Sequence, residues 1–161
     1  KPIPSEFIYG IISNKFLFRN FNNIGLIGAN EKLEVIRKLM EYEEYQEYLG
    51  LNKFQDYINL TQEFSFNNIK NIRKTIKGLL KKTKSTIFLV SIGEIKSEIF
   101  HLLKDYKNAT YIDIGCYMDA LAGIIDYKLP YASNWINYKI KEYDYSKINN
   151  LEFQSKFEKY L

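Results

Sequence analysis

The residues best suited to chemistry lie in segment 110–120, where two aspartates flank a glycine turn. Asp113 stands inside an apolar run, and Asp119 follows six residues later, beyond Gly115. A carboxylate is costly to bury unless it is paired or hydrogen-bonded. Asp113 therefore indicates either a ligand hydroxyl that it accepts or turn amides that it caps. We predict catalytic roles for both aspartates and contact between Gly115 and a ligand.

Two more glycine turns follow apolar runs, and turns at the carboxyl ends of parallel strands commonly contact ligands. The first, after run 24–28, is not a full Gly-x-Gly-x-x-Gly pattern, so a tight turn that needs glycine is the alternative. The second, after run 86–91, brings Glu94. This residue is either a catalytic group that meets a hydroxyl or a metal, or a first-turn residue favoured by the helix dipole. The predicted ligand-binding residues of the two turns are Gly28, Asn30, Ser91 and Gly93.

Segment 128–138 combines a flat aromatic ring with amide and hydroxyl groups. Trp135 offers a face on which a base or sugar can stack, and Asn137 offers hydrogen bonds. The alternative is an ordinary loop whose tryptophan covers the edge of the core. We predict that both residues bind the ligand.

The single cysteine and the single histidine argue against two kinds of site. A zinc site built from cysteine and histidine needs more ligands than they supply, and a nucleophilic pair needs them close together. Cys116 follows a glycine at a predicted helix start, whereas His101 falls midway along another predicted helix. We therefore expect Cys116 to be a small packed thiol and His101 to lie outside the site. No residue is assigned as a metal ligand.

Four short apolar runs alternate with amphipathic segments, which predicts strands that alternate with helices. Strands are predicted over 24–28, 57–60, 86–91 and 110–114, and helices over 31–48, 66–82 and 94–105, after a helical lead-in over 5–18. Alternation with short connections is typical of parallel crossovers. The predicted fold is a single α/β domain over 1–161, a three-layer Rossmann-like sheet, mostly parallel, with helices on both faces. Residues 126–161 are predicted to form an irregular tail with a terminal helix.

Side-chain types and spacing also predict where these helices begin and end, and which face points inward. Asn30 is predicted to cap helix 31–48 and Gly50 to end it, while Ser65 opens helix 66–82. The inner stripe predicted for helix 66–82 is Ile69, Ile72, Ile76, Leu79 and Leu80. Its solvated outer face is predicted to hold Lys70, Lys74, Lys77 and Lys81.

Composition and charge exclude some classes of partner. The net charge is +4, and lysine outnumbers arginine 20 to 3. Nucleic-acid surfaces usually concentrate arginine, so no nucleic-acid partner is expected. No apolar run approaches the roughly 18 residues of a membrane helix, so no membrane span is expected.

The single cysteine fits a reducing compartment, and a cytoplasmic location is expected. The chain begins with Lys1 and has no signal-like segment, which indicates either a domain excised from a longer protein, where a neighbouring domain would be its partner, or a shortened chain.

Three stretches, IGLIG, FLVSIGEIKSEIFHLLKDY and YIDIGCYMDAL, resemble in their order the carboxyl-terminal part of the GT-D type glycosyltransferases. The resemblance covers roughly residues 20–125. It implies transfer of a sugar from a nucleotide sugar to a glycan or protein acceptor, with a divalent metal (Mn or Mg) and no bound organic cofactor. The family's metal-associated Asp-x-Glu element occurs nowhere in this sequence. Either that element lies upstream of Lys1 in a longer protein, or the domain is a non-catalytic relative.

The stretch YIDIGC is also similar to the first motif of the S-adenosylmethionine-dependent methyltransferases. That motif normally continues Gly-x-Gly, which lets the cofactor lie against the backbone. Here Tyr117, Met118 and Asp119 follow instead, with side chains where the cofactor would approach. A methyltransferase-like domain is therefore the second interpretation. A non-catalytic binding or scaffold domain is the third, and it needs no catalytic residue.

Overall fold

The structure is a computed structural model, and it describes residues 7, 8, 10, 12, 15–60 and 68–123. These residues form a four-stranded, wholly parallel sheet in the order β2-β1-β3-β4 with helices on both faces. The strands are β1 (Ile24–Gly28), β2 (Asp56–Asn59), β3 (Ile87–Ser91) and β4 (Thr110–Asp113). The helices are α1 (Phe16–Asn20), α2 (Asn30–Leu39), α3 (Glu43–Leu49), α4 (Ile69–Leu80), α5 (Lys96–Ile99), α6 (Leu103–Tyr106) and α7 (Tyr117–Leu121). The predicted three-layer, Rossmann-like α/β fold is confirmed.

The two most apolar strands lie beside each other inside the sheet. Every residue of β1 is buried, as are four of the five residues of β3. The sequences of both strands are continuous apolar runs, as expected for strands that are covered on both faces of the sheet. The four strand predictions agree with the observed bounds to within one residue at each end.

Two separate apolar cores cover the sheet. On what we call the first face, α1, α2, α3 and α7 pack against Leu26 and Leu89. On the second face, α4 and segment 93–106 pack against Ile27, Phe88 and Val90. Successive strand residues point to opposite faces, so both cores contain residues of β1 and of β3.

The predicted single helix over 31–48 is wrong, because the chain turns at residues 40–42 and starts a second helix. The backbone of Tyr42 is extended, and the Gln46 side-chain amide donates to the Met40 carbonyl at 2.7 Å, which satisfies an acceptor at the end of α2. The turn allows Tyr45 to be buried on the first face, where its hydroxyl donates to the Leu121 carbonyl. Gly50 ends α3 with φ of 75°, as predicted.

The helix predicted over 94–105 is present, but it is not a continuous α-helix. Segment 93–106 instead alternates 3-10 turns, at Gly93–Ile95 and Phe100–Leu102, with the short helices α5 and α6. Ile95, Ile99 and Leu103 are nevertheless buried on the second face. Their spacing of four residues places them on one side of the segment, which accounts for their shared burial.

Helix α4 is shorter than predicted and uses a narrower apolar stripe. Ile72, Ile76 and Leu80 are buried, Ile69 is half-buried, and Leu79, which was predicted to point inward, is 37% exposed. The helix packs along a single row spaced by four residues, and Leu79 lies beside that row. Predictions for Ser65, Trp135, Asn137 and the tail 126–161 lie outside the described residues.

Within the lead-in 5–18, the described residues 7, 8, 10 and 12 are helical. Ile8 and Ile12 are buried on the first face, whereas Phe7 and Phe16 are exposed. The lead-in is therefore amphipathic, with a narrower buried side than its sequence suggests.

Candidate functional site

Three of the predicted turns lie next to one another at the carboxyl edge of the sheet. Gly28, the last residue of β1, is aligned with Ser91, the last residue of β3. Asp113, the last residue of β4, is aligned with Val90. Because parallel strands all end at one edge, the turns 28–30, 91–94 and 113–115 follow three neighbouring strands.

The sheet reverses its order of strand addition between β1 and β3. The chain passes from β1 to β2 on one side, and then crosses β1 to reach β3 on the other side. Helix α2 follows β1 on the first face, whereas segment 93–106 follows β3 on the second face. In open α/β sheets a crevice opens at such a switch point, outside the carboxyl ends of the strands, and ligands bind there. Turns 28–30 and 91–94 flank this point.

Close packing explains the glycine at position 28. A Cβ atom there would lie 3.3 Å from the Ser91 carbonyl oxygen and 3.7 Å from the Met118 Cε atom. Gly93 and Gly115 are needed for a different reason, because their φ angles are 56° and 49°. A Cβ at Gly115 would meet nothing within 4 Å, so the turn after β4 borders open space.

Asp113 links its own turn to α5. Its Oδ1 atom accepts the backbone N–H of Gly115 at 3.1 Å, and its Oδ2 atom lies 2.7 Å from the Lys96 Nζ atom. The side chain is 30% exposed. The capping role considered from the sequence is therefore present, and an exposed part of the carboxylate remains for a ligand.

Asp119 forms a buried ion pair that the sequence did not predict. Its Oδ1 atom lies 2.6 Å from the Nζ atom of Lys32, and the two side chains are only 17% and 11% exposed. Lys32 belongs to the first turn of α2, and Asp119 to the first turn of α7. The pair therefore joins two helix starts on the first face at the carboxyl edge. The signal that could have found Lys32 is its place in the first helical turn after the Gly28 turn.

The other predicted residues of this edge differ in exposure. Ser91 is buried, whereas Glu94 is exposed at the start of the 3-10 turn after β3. Asn30 was predicted to cap the helix that begins after β1, but it does not cap α2. It is the first helical residue, the N-cap is Ala29, and the Asn30 side-chain amide donates to Glu34 Oε1 at 3.3 Å. Within the described ranges no side chain caps α2, so its first amides face the turn after β1.

Cys116 is exposed, so the expectation of a packed thiol is wrong. It precedes α7 on the turn after β4, where the chain leaves the apolar strand and the side chain faces outward. His101 is exposed within the 3-10 turn Phe100–Leu102. The helices that adjoin the two residues pack on opposite faces of the sheet.

The donor set at this edge does not form a metal centre. In the part of the chain that the structure describes, no three histidine, cysteine, aspartate or glutamate side chains cluster closely enough to hold a metal ion. Asp113 and Asp119 each lie against a lysine ammonium group instead. Each of the two carboxylates therefore faces a positive charge of the chain itself.

No family model matches the chain, and neither the curated proteins nor the solved structures gave a match. Over residues 7–12, 15–60 and 68–123, as far as they are described, no helix combines the length and the apolarity needed to cross a bilayer.

Proposed function

We propose that the domain binds a nucleotide sugar at the carboxyl edge of its sheet and transfers the sugar to a glycan or protein acceptor. The observation that carries the proposal is the alignment of Gly28 with Ser91 at the switch point between β1 and β3. This is the place where open α/β sheets bind nucleotides. The resemblance of the three strand-and-turn stretches to GT-D type glycosyltransferases supplies the substrate class.

The residues around the switch point suit the two halves of such a ligand. The amides of the first turn of α2 and the Lys32 ammonium group would receive the diphosphate, since helix starts and lysines both attract phosphate. Gly93, at the turn after β3, would let the ligand approach the backbone, whereas the space beside Gly28 is filled by Ser91 and Met118. The exposed part of the Asp113 carboxylate would accept a hydroxyl group of the ribose or the sugar.

Glu94 is the exposed carboxylate beside this crevice, and we assign it the acceptor's proton. It would accept that proton as the acceptor oxygen attacks the anomeric carbon and the nucleoside diphosphate leaves. Asp119 would hold Lys32 in position. A divalent metal supplies charge stabilisation of the leaving diphosphate where it is bound, but the described residues do not fit one, and no step assigned here depends on it.

The position of the YIDIGC stretch favours this proposal over the methyltransferase alternative. The stretch ends β4, which is the outer strand of the described sheet, whereas the switch point lies between β1 and β3. A cofactor bound against the turn at Gly115 would therefore lie one strand away from the crevice in which ligands of open sheets are held.

Thermal unfolding tests the proposal with a panel of uridine and guanosine nucleotide sugars, each measured with and without Mn²⁺, beside S-adenosylmethionine. A bound nucleotide sugar at about 100 times its Kd stabilises the fold by about 2.7 kcal/mol. A shift with S-adenosylmethionine alone would favour the methyltransferase interpretation. The absence of any shift would favour a scaffold domain and would contradict the proposal.

The variant Asp113→Asn locates the ligand. It keeps the shape of the side chain but removes the charge that strengthens a hydrogen bond to a hydroxyl group, so nucleotide-sugar affinity should fall by about 1.5–3 kcal/mol. Asp105→Asn is the matched control, because Asp105 is exposed in α6, which runs toward the opposite edge of the sheet. Lower stability with unchanged affinity would assign Asp113 to capping alone.

A further inference from the structure

Positive charge is concentrated on and just after α4, which packs on the second face of the sheet. Segment 69–84, which comprises α4 and the turn after it, contains six lysines, one arginine and no acidic residue. The whole chain carries +4, so all other residues together carry −3. We call the exposed lysines of this segment the basic face; they are Lys70, Lys74, Lys77, Lys81, Lys82 and Lys84.

Among the described residues, carboxylates border this segment without forming a salt bridge to its lysines. Arg73 pairs with Glu98 at 3.1 Å, and the Asp56 carboxylate accepts the backbone N–H of Lys84 at 2.9 Å. None of the salt bridges found among the described residues involves a lysine of the basic face. Lys107 adds to the patch, since its ammonium group donates to the Thr83 carbonyl at 2.6 Å. The other exposed charges of segment 93–106 include both signs, among them Glu94, Lys104 and Asp105.

The basic face is held by a buried helix row. Ile72, Ile76 and Leu80 anchor α4 to the sheet, so the lysines project from a fixed helix. A Cβ atom at Gly78, beside the lysine row, would meet nothing within 4 Å. The surface is therefore a lysine-rich helix side with open space beside it, whereas the exposed Leu79 lies on the other side of the buried row.

This chemistry fits a lipid surface better than a polynucleotide. Segment 69–84 contains no aromatic residue on which a base could stack, and its one arginine is already paired. The Tyr106 ring that borders the face already has the Lys77 ammonium group 5.7 Å from its centroid. Clusters of four to eight lysines and arginines on a helix are typical of binding to anionic headgroups. We infer that the basic face docks the domain on an anionic membrane surface as a peripheral protein, independently of what the crevice binds.

Vesicle sedimentation of the full chain tests this inference. Vesicles of phosphatidylcholine with about 30% phosphatidylserine should bind the protein, and vesicles of phosphatidylcholine alone should not, because the attraction is electrostatic. Binding should weaken as NaCl is raised from about 0.05 to about 0.3 M, since the Debye length shortens. Failure of the unmodified chain to bind the anionic vesicles would overturn the inference.

A pair of matched double variants locates the surface. K74Q/K81Q should lower the partition coefficient about 30-fold, which corresponds to about 1 kcal/mol for each lysine near the membrane. K38Q/K53Q removes the same charge from exposed positions outside α4. It should lower the partition coefficient less than about 3-fold, because these positions lie away from the basic face. Glutamine is a good helix former, and circular dichroism confirms that each variant folds.

Two outcomes would contradict the assignment of the surface or of its partner. Equal losses for K74Q/K81Q and K38Q/K53Q would show that net charge, rather than the basic face, drives vesicle binding. Binding to single-stranded polyuridylate that K74Q/K81Q loses, without binding to anionic vesicles, would show that the partner is a nucleic acid.

Discussion

At the scale of single residues, the buried pair of Lys32 and Asp119 is the feature with the largest expected energetic effect. Each group loses most of its hydration on folding, and the 2.6 Å contact offsets that loss. Removing one partner takes the opposite charge at 2.6 Å away from the other, which stays buried. Pairing thus matters more here than at the exposed surface, where ion pairs contribute about 0–1 kcal/mol.

We expect Asp119→Asn to lower the free energy of unfolding by about 3 kcal/mol, because it removes the carboxylate charge that faces the buried Lys32 ammonium group. The double variant Lys32→Met, Asp119→Leu should recover most of this loss, since apolar groups of similar volume carry no desolvation cost. Urea unfolding at neutral pH measures both. If the double variant were less stable than Asp119→Asn, the pair would be stabilising beyond its desolvation cost, contrary to this account.

The same double variant separates stability from binding. A folded Lys32→Met, Asp119→Leu protein lacks the ammonium group that we assign to the diphosphate, so nucleotide sugars should no longer raise its melting temperature. Retained stabilisation would place the diphosphate away from Lys32.

At the scale of elements, the packing of β1 against β3 depends on a residue without a side chain. A Cβ atom at Gly25 would lie 2.6 Å from both the Phe88 Cε1 atom and the Ser85 Oγ atom. Ser85 is itself held, since its backbone N–H and its hydroxyl both donate to the Asp56 carboxylate. The neighbourhood of Gly25 therefore cannot relax easily to admit a methyl group.

We expect Gly25→Ala to lower the free energy of unfolding by about 1–3 kcal/mol through overpacking. Gly78→Ala is the matched control, because that glycine lies inside α4 with no atom within 4 Å of the added methyl group. Alanine should stabilise this helix by about 0.5–1 kcal/mol. Chemical denaturation of the two variants measures the difference, and a loss of stability in Gly78→Ala would contradict the packing of α4 described here.

At the scale of the whole molecule, two half-buried tyrosines link stability to alkaline pH. Burial raises the pKa of Tyr57 to about 12, although the Arg37 guanidinium over its ring acts in the opposite direction. Burial also raises the pKa of Tyr111 to about 12. An unfolded chain releases these protons near pH 10, whereas the folded chain keeps them until about pH 12.

The stability that these tyrosines contribute is therefore fully present below about pH 10 and is lost as the pH rises toward 12. We expect Tyr57→Phe to unfold with a shallower dependence on pH between about 9 and 11 than the unmodified protein, since phenylalanine has no proton to release. The lysines titrate in both proteins, so the difference in urea midpoints isolates the tyrosine. Parallel pH profiles would show that the Tyr57 hydroxyl is hydrated in the folded state.

The sequence by itself determined the class of the fold and the ends of its strands. Run 24–28 and run 86–91 are apolar at almost every position, and such local composition dictates a strand buried on both faces wherever it lies in the chain. The Gly115 turn was also predictable, because its φ angle of 49° favours glycine through local sterics. The reason for Gly28 is tertiary, since a Cβ atom there would crowd the Ser91 carbonyl oxygen and the Met118 side chain. That three turns share one edge followed from the parallel topology.

The tertiary structure alone decided which of these turns flank the switch point and what surrounds them. The strand order β2-β1-β3-β4 depends on crossovers that no local pattern encodes. Lys32 contacts Asp119, which lies far along the chain from it. The break between α2 and α3 goes with the packing of Tyr45 at Leu121, which is also distant in sequence. Such contacts join residues that are distant in sequence, and their energies come from shared burial rather than from the conformational preferences of either segment.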